Sequence, residues 1–275
     1  MSILLKLLLG LMAGAAALVV LVRFLEPRMA FFPSTGESTT PTDFGARFEA
    51  VTIDTADGER LRGWTLPARD ARAIVLYFHG NGGNLSVWAP ILAGIQARGY
   101  EVRALDYRGY GASTGRPSER GLSRDVEAVL ASAWGRGDGR LPIVYWGRSL
   151  GVTMAAYAAT VRRPDGLVLE AGFTDARSLL HGSPLLAFLG LFSSYRFPTA
   201  AYARRAGCPI LVIHGDADSV IPYTNGVALF ESLGEPKQFV RVRGGDHNDA
   251  TPADARAYWT AIESFVERVR PPARS

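Results

Sequence analysis

Two observations predict an α/β fold with a mostly parallel sheet. Short apolar runs alternate with helical stretches through most of the chain, and a hairpin signal opens that series. A third observation sets the N-terminus apart: the run from Ile3 to Val22 is apolar except for Lys6.

The N-terminal run comes first. As a helix at ~1.5 Å per residue it spans about 30 Å, one hydrocarbon core. Arg23 and Arg28 follow it. A cleaved signal peptide would use Lys6 as its basic end and the small residues from Ala13 to Ala17 as the cleavage region. Leu18 to Val22 continue the apolar run past them, which favours an uncleaved single-pass anchor over residues 1–28. Charge is nearly balanced on the two sides, so orientation is not legible. Residues 29–45 read as a linker, because Pro33 to Pro41 is rich in Ser, Thr, Gly and Pro.

Residues 46–275 suit one medium-sized domain. Phe48 to Ile53 and Leu61 to Leu66 flank Asp57-Gly58, an antiparallel hairpin signal. Strands are then predicted at Ile74–Phe78, Val102–Leu105, Ile143–Trp146, Leu167–Leu169, Ile210–Ile213 and Phe239–Val242. Helices are predicted near Val87–Arg98, Arg124–Trp134, Val152–Thr160, Val227–Leu233 and Asp254–Arg270. The alternation implies helices on both faces of the sheet. Asp175 to Gly207 breaks the rhythm, being longer than a plain crossover needs. Its apolar stretch from Leu185 to Phe192 fits either a buried crossover helix or a small cap over a site.

Composition narrows the partners. Of 275 residues, 48% are hydrophobic and 20% charged, which fits a globular chain. The net charge is +4 and the isoelectric point near 9.4, but the arginines are scattered, so no nucleic-acid partner is expected. Cys208 is the sole cysteine, which leaves no intrachain disulfide and no cysteine metal cluster. That fits a reducing compartment without excluding the outside of a bacterial membrane. No set of His, Asp and Glu has metal-ligand spacing, so no metal and no cofactor is expected. Oligomeric state is not legible.

Gly147-Arg148-Ser149-Leu150-Gly151 carries the chemistry. It reads G-x-S-x-G between an apolar strand and an Ala-rich helix, the context of a nucleophile elbow. A serine hydroxyl is a poor nucleophile at neutral pH and needs a base, which in turn needs an acid to fix its tautomer. With an elbow the chain order is Ser, acid, His. Strand Ile210–Ile213 runs into a loop holding Asp216 and Asp218, and Phe239–Val242 runs into Gly244 to Asp249, which holds His247. Both loops leave strand C-termini, the edge where sites assemble. His247 is the predicted base and Asp218 the predicted acid, with Asp216 stabilising the loop. Asp246 and Asp249 flank the base as loop-capping groups. His79 and His214 each close a strand in a His-Gly pair and read as structural. His181 precedes the acid loop and breaks the required order.

An oxyanion hole needs two backbone N–H donors, each typically worth ~3 kcal/mol. The amide of Leu150, at a helix N-terminus, is one candidate. The loop His79-Gly80-Asn81-Gly82-Gly83-Asn84 supplies the other, taken as Asn81. This loop lacks the Gly-Lys-Ser/Thr ending of a phosphate cradle.

With these blocks in place the chain resembles the α/β-hydrolase superfamily, and within it the membrane-anchored branch of ABHD-type and bud-emergence-suppressor-like serine hydrolases. The resemblance rests on Phe31-Phe32-Pro33, the His79–Asn84 loop, Asp106-Tyr107-Arg108-Gly109-Tyr110-Gly111, the elbow, Val220-Ile221-Pro222 and Gly245-Asp246-His247-Asn248. It covers essentially the whole chain. It implies Ser149 as nucleophile, Asp218 as acid and His247 as base, with Asp106–Gly111 shaping the site floor. Where relatives often carry Gly before the base, this chain has Asp246. The expected reaction is hydrolysis of a carboxylic ester or thioester. The substrate is open between lipid or acylated molecules and small esters. A serine peptidase, or a non-catalytic binding module on the same fold, is the alternative.

Overall fold

The computed structural model describes residues 2–135, 141–180, 184–249 and 255–270. The chain begins with helix α1 (Ile3–Ala30) and the short strand β1 (Phe32–Pro33). The hairpin β2 (Glu49–Asp54) and β3 (Arg60–Leu66) follows, then β4 (Ile74–Phe78), β5 (Gly82–Gly83), α2 (Leu85–Gln96), β6 (Glu101–Leu105) and α3 (Glu119–Ala131). The second half holds β7 (Ile143–Arg148), α4 (Gly151–Val161), β8 (Gly166–Glu170), α5 (Pro184–Gly190) and α6 (Thr199–Ala203). It closes with β9 (Ile210–Gly215), α7 (Tyr223–Glu231), β10 (Lys237–Val242) and α8 (Ala255–Arg268).

The main sheet has the order β10-β9-β8-β7-β4-β6-β3-β2. From β10 to β6 the strands pair in parallel, while β3 is antiparallel to β6 and β2 to β3. The C-terminal ends of β4 and β7 to β10 therefore share one edge. The central strands are buried along their whole length, as strands covered on both faces must be. One apolar layer sets Leu76, Tyr145 and Leu169 of the sheet against Val126 of α3 and Met154 of α4. The other sets Val75, Val144 and Val168 against Leu92 of α2 and Ile262 of α8.

The predicted elements are present, with ends set by capping. Helix α3 starts well before Arg124 because Ser118 caps it, its hydroxyl accepting from the Gly121 amide at 3.1 Å. Asn84 caps α2 in the same way, accepting from Ser86 N–H at 2.9 Å. His181 lies outside the described residues.

One expectation needs correction. Residues 29–45 are not a free linker. Helix α1 runs on to Ala30, Phe31 is buried against Tyr195 and Phe197, and β1 pairs in parallel with β5. The polar stretch that follows is bonded down: Asn84 Nδ2 donates to the carbonyls of Ser34 and Gly36, and Ser86 Oγ accepts from the Ser38 and Thr39 amides. A Ser/Thr/Gly composition measures how little a segment can bury, not whether a neighbouring domain satisfies its backbone. The Leu185–Phe192 stretch, open in the sequence between a buried crossover helix and a small cap, is not buried. Leu185, Phe188 and Leu191 are exposed, and Leu186 and Leu189 of α5 line one cavity with Ser149 and His247.

Helix α1 is long and apolar enough to cross a membrane. Its 28 residues measure about 42 Å, more than a hydrocarbon core of about 30 Å.

Candidate active site

The elbow is built by backbone sterics. Ser149 follows β7 with φ of 55°, a left-handed conformation uncommon for a residue with a side chain. Its amide donates to Glu170 O at 3.0 Å, tying the turn to β8. A Cβ on Gly147 would lie 2.2 Å from Gly151 O, and one on Gly151 would lie 1.9 Å from Phe78 O. Both positions therefore exclude any side chain, which explains the two glycines of the pentapeptide.

Three predicted residues from three strand ends meet here. His247 Nε2 lies 3.0 Å from Ser149 Oγ, and His247 Nδ1 lies 2.8 Å from Asp218 Oδ2. If Nδ1 carries the proton and donates to Asp218, Nε2 is left to accept from the serine hydroxyl. Asp218 is held from several sides. Its Oδ1 accepts the Val220 and Ile221 amides at 2.9 and 2.7 Å, and His214 Nε2 lies 3.3 Å from Oδ2. Burial pushes the Asp218 carboxyl up, but the hydrogen bonds from His214, His247 and Ile221 outweigh it and hold the group well below the usual carboxylate range. Asp216 is turned away, paired with Arg241 at 2.6 Å and accepting the Gly244 amide.

The Leu150 amide sits where α4 begins, beside Ser149, and Asn81 lines the same cavity. The Asn81 side chain is fully used: Nδ2 donates to Ala30 O at 2.7 Å, and Oδ1 accepts from Tyr110 OH at 2.9 Å. Tyr107 OH donates to His79 O at 3.2 Å. Two tyrosines of the Asp106–Gly111 block thus prop up the loop that holds Asn81. Asp106 accepts the Leu85 amide at 2.8 Å, and its burial raises its carboxyl to about 7. Burial lowers the neighbouring His79 to about 4.

Sequence reasoning missed Arg148. This buried side chain donates through Nη2 to the carbonyls of His247 and Asp249, at 2.7 and 3.1 Å. Its Nη1 lies 3.7 Å from Glu170 Oε1. Trp146 Nε1 and Tyr258 OH both donate to Glu170, at 2.8 and 3.1 Å. The variable position before the serine therefore fastens the base loop. The only signal was an arginine at the end of an otherwise apolar strand. Asp246 fastens the same loop to the acid loop, its Oδ1 accepting from the Ser219 and His247 amides, both at 2.7 Å.

Ser149 and His247 open into a cavity of about 970 Å³. Its walls are mainly apolar: Leu21 and Leu25 of α1, Trp88 and Ile91 of α2, and Leu186 and Leu189 of α5. Among the described residues the only carboxylate on the lining is Glu26, and it is occupied, accepting from the Ser193 and Ser194 hydroxyls and from the Tyr195 amide.

The model of the family described as serine aminopeptidase, S33, matches residues 69–206. An uncharacterised protein of Mycobacterium tuberculosis (strain H37Rv) is 33% identical over 257 residues, 92% of this chain and 91% of its own. The lysophosphatidylserine lipase ABHD12 of Macaca fascicularis is 32% identical over 193 residues, 62% of this chain and 47% of its own. Among solved structures, the Pyrococcus furiosus esterase Pf2001 superposes with a TM-score of 0.66 at 19% identity, covering 86% of this chain and 96% of its own.

Proposed function

This chain belongs to the ABHD-type α/β-hydrolases, within the family described as serine aminopeptidase, S33, and from that premise we propose that it hydrolyses carboxylic esters or thioesters through an acyl-enzyme on Ser149. The observation that carries the proposal is the continuous relay from Ser149 Oγ through His247 to Asp218, with both links within 3.0 Å.

In this mechanism Ser149 Oγ attacks the carbonyl carbon while His247 Nε2 takes its proton. Asp218 orients the imidazole and stabilises the imidazolium. The amides of Leu150 and Asn81 receive the oxyanion. His247 then protonates the leaving group, and water attacks the acyl-enzyme by the same route in reverse.

The ester reading is favoured over the peptidase reading by the cavity lining. An aminopeptidase must hold its substrate's α-ammonium, which calls for a free carboxylate. Glu26 is the only lining carboxylate among the described residues, and its oxygens already take three donors. The apolar lining suits an acyl chain instead, in keeping with the lipase among the relatives. Helix α1 is assigned as a membrane anchor on its length and hydropathy. The test compares p-nitrophenyl butyrate with alanine p-nitroanilide, using Ser149→Ala as the control. Hydrolysis of the ester alone, lost in the variant, is expected. Cleavage of the anilide alone would move the assignment to a peptidase, and inactivity on both would favour a binding module.

A further inference from the structure

Helix α1 does more than lead up to the domain. Leu18, Leu21, Val22, Leu25, Glu26 and Met29 all line the cavity that holds Ser149 and His247. Their spacing of three and four marks a single helical face. Val20 and Phe24, on the same turns, do not line it and are exposed. The lining stretch from Leu18 to Met29 is about 16 Å long at ~1.5 Å per residue, the length of a long acyl chain rather than a short one.

This wall is fastened to the catalytic domain at its C-terminal end. Glu26 is bonded to Ser193, Ser194 and Tyr195 in the segment that follows α5. Asn81 Nδ2 donates to Ala30 O at the end of the helix, and β1 pairs with β5 in the oxyanion loop. The helix is therefore registered against the serine, not loosely leashed to it.

The cavity also sits at a definite depth. If Ile3 to Val22 fills the hydrocarbon core, the wall begins inside that core and ends about 10 Å beyond Val22. Arg23, Glu26 and Arg28 fall in the outer part, as expected at the polar boundary. Leu185, Phe188 and Leu191 of the α5 segment, and Val87 of α2, add exposed apolar surface. Leu21 and Leu25, which line the cavity, are 52% and 37% exposed.

We infer that α1 is one wall of the acyl-binding cavity, and that Leu21, Val22 and Leu25 on it select long-chain esters drawn from a lipid surface. The inference rests on the proposed ester hydrolysis at Ser149. Each methylene seated against the wall improves transition-state binding about fourfold, so a bulky residue that displaces three or four of them costs about 100-fold.

The test uses the full chain in detergent micelles, with p-nitrophenyl palmitate and butyrate as probes. Fluorophosphonate labelling of Ser149 is followed in every sample. Leu21→Trp and Leu25→Trp are expected to lower the palmitate-to-butyrate ratio of kcat/KM about 100-fold, while Val20→Trp keeps the wild-type ratio. Equal ratios in all three variants, with labelling intact, would overturn the inference and leave ester hydrolysis standing. Should a Trp variant lose labelling, Leu25→Ala replaces it. Its ratio is expected to fall at least fourfold, and an unchanged ratio counts against the wall. A wild type that neither labels nor hydrolyses either ester would remove the proposed function itself, and the inference with it.

Discussion

Two sides of one cavity are built on opposite terms. On the sheet edge, Asp218 and His247 are buried, their polar atoms bonded to groups from neighbouring strand ends. Across from them, Leu21, Leu25 and Met29 of α1 and Leu186 of α5 are exposed by more than a third and bury little. The first side is held by short hydrogen bonds with few alternative geometries. The second is held where α1 meets the domain, by Glu26 and the Ala30 carbonyl, with open apolar surface before them. The polar groups that need close placement sit in loops at the strand ends, and the apolar lining sits on helices from distant parts of the sequence.

The sharpest contrast lies in the sizes of the mutational effects. Asp218→Asn keeps the side-chain shape but favours the wrong tautomer of His247. It is expected to lower kcat about 10³–10⁴-fold with KM nearly unchanged, read from initial rates on p-nitrophenyl butyrate. A tenfold loss or less would mean that the imidazole is fixed by other contacts.

Arg148→Met should come next. It removes two donors from the base loop and leaves the Glu170 carboxylate, with Trp146 and Tyr258 on it, without its cation. A fall of about 10–100-fold in kcat is expected, with partial recovery in Arg148→Lys, because lysine restores the charge but not the planar fork that reaches the loop carbonyls and Glu170 together. A variant with wild-type kcat and only a lower melting temperature would make Arg148 purely structural.

Asp246→Ala should cost less, about three- to tenfold in kcat. It removes one bridge between acid and base loops, while His247 and Asp218 keep their direct contact.

The Asp106 carboxyl behind the His79–Asn84 loop shows itself as a pH effect on stability. Burial raises Asp106 to about 7, so the folded state binds its proton more tightly than the unfolded chain does. Its contribution to stability is full below the ordinary carboxylate range and is lost as pH rises towards 7. Asp106→Asn can still accept from the Leu85 amide yet cannot ionise. Its melting temperature relative to wild type is expected to rise between pH 5 and pH 8 in buffered thermal melts. A constant difference would show that Asp106 does not titrate in that range.

The two sides also differ in how far the sequence reveals them. Ser149, Asp218 and His247 each stand directly after an apolar strand in a Gly-rich loop, so local pattern and chain order were enough to pick them out. Arg148 was not legible, because its partners Glu170, His247 and Asp249 are brought to it only when three strand ends align. The role of α1 was hidden for a different reason. From Leu7 to Val22 the helix has no polar face to mark which side meets the domain, so Leu21 and Val20 look alike until Glu26 and Ala30 fix its rotation. The docked segment after it was obscured by composition, since Asn84 and Ser86, far along the chain, supply its hydrogen bonds.

The central claim is that Ser149 is a nucleophile activated by His247. It is tested most directly by intact-protein mass spectrometry after treatment with a fluorophosphonate. Wild type should gain one adduct, located on the peptide that carries Ser149, and Ser149→Ala should gain none. An unlabelled wild type, or a variant labelled to the same extent, would contradict it.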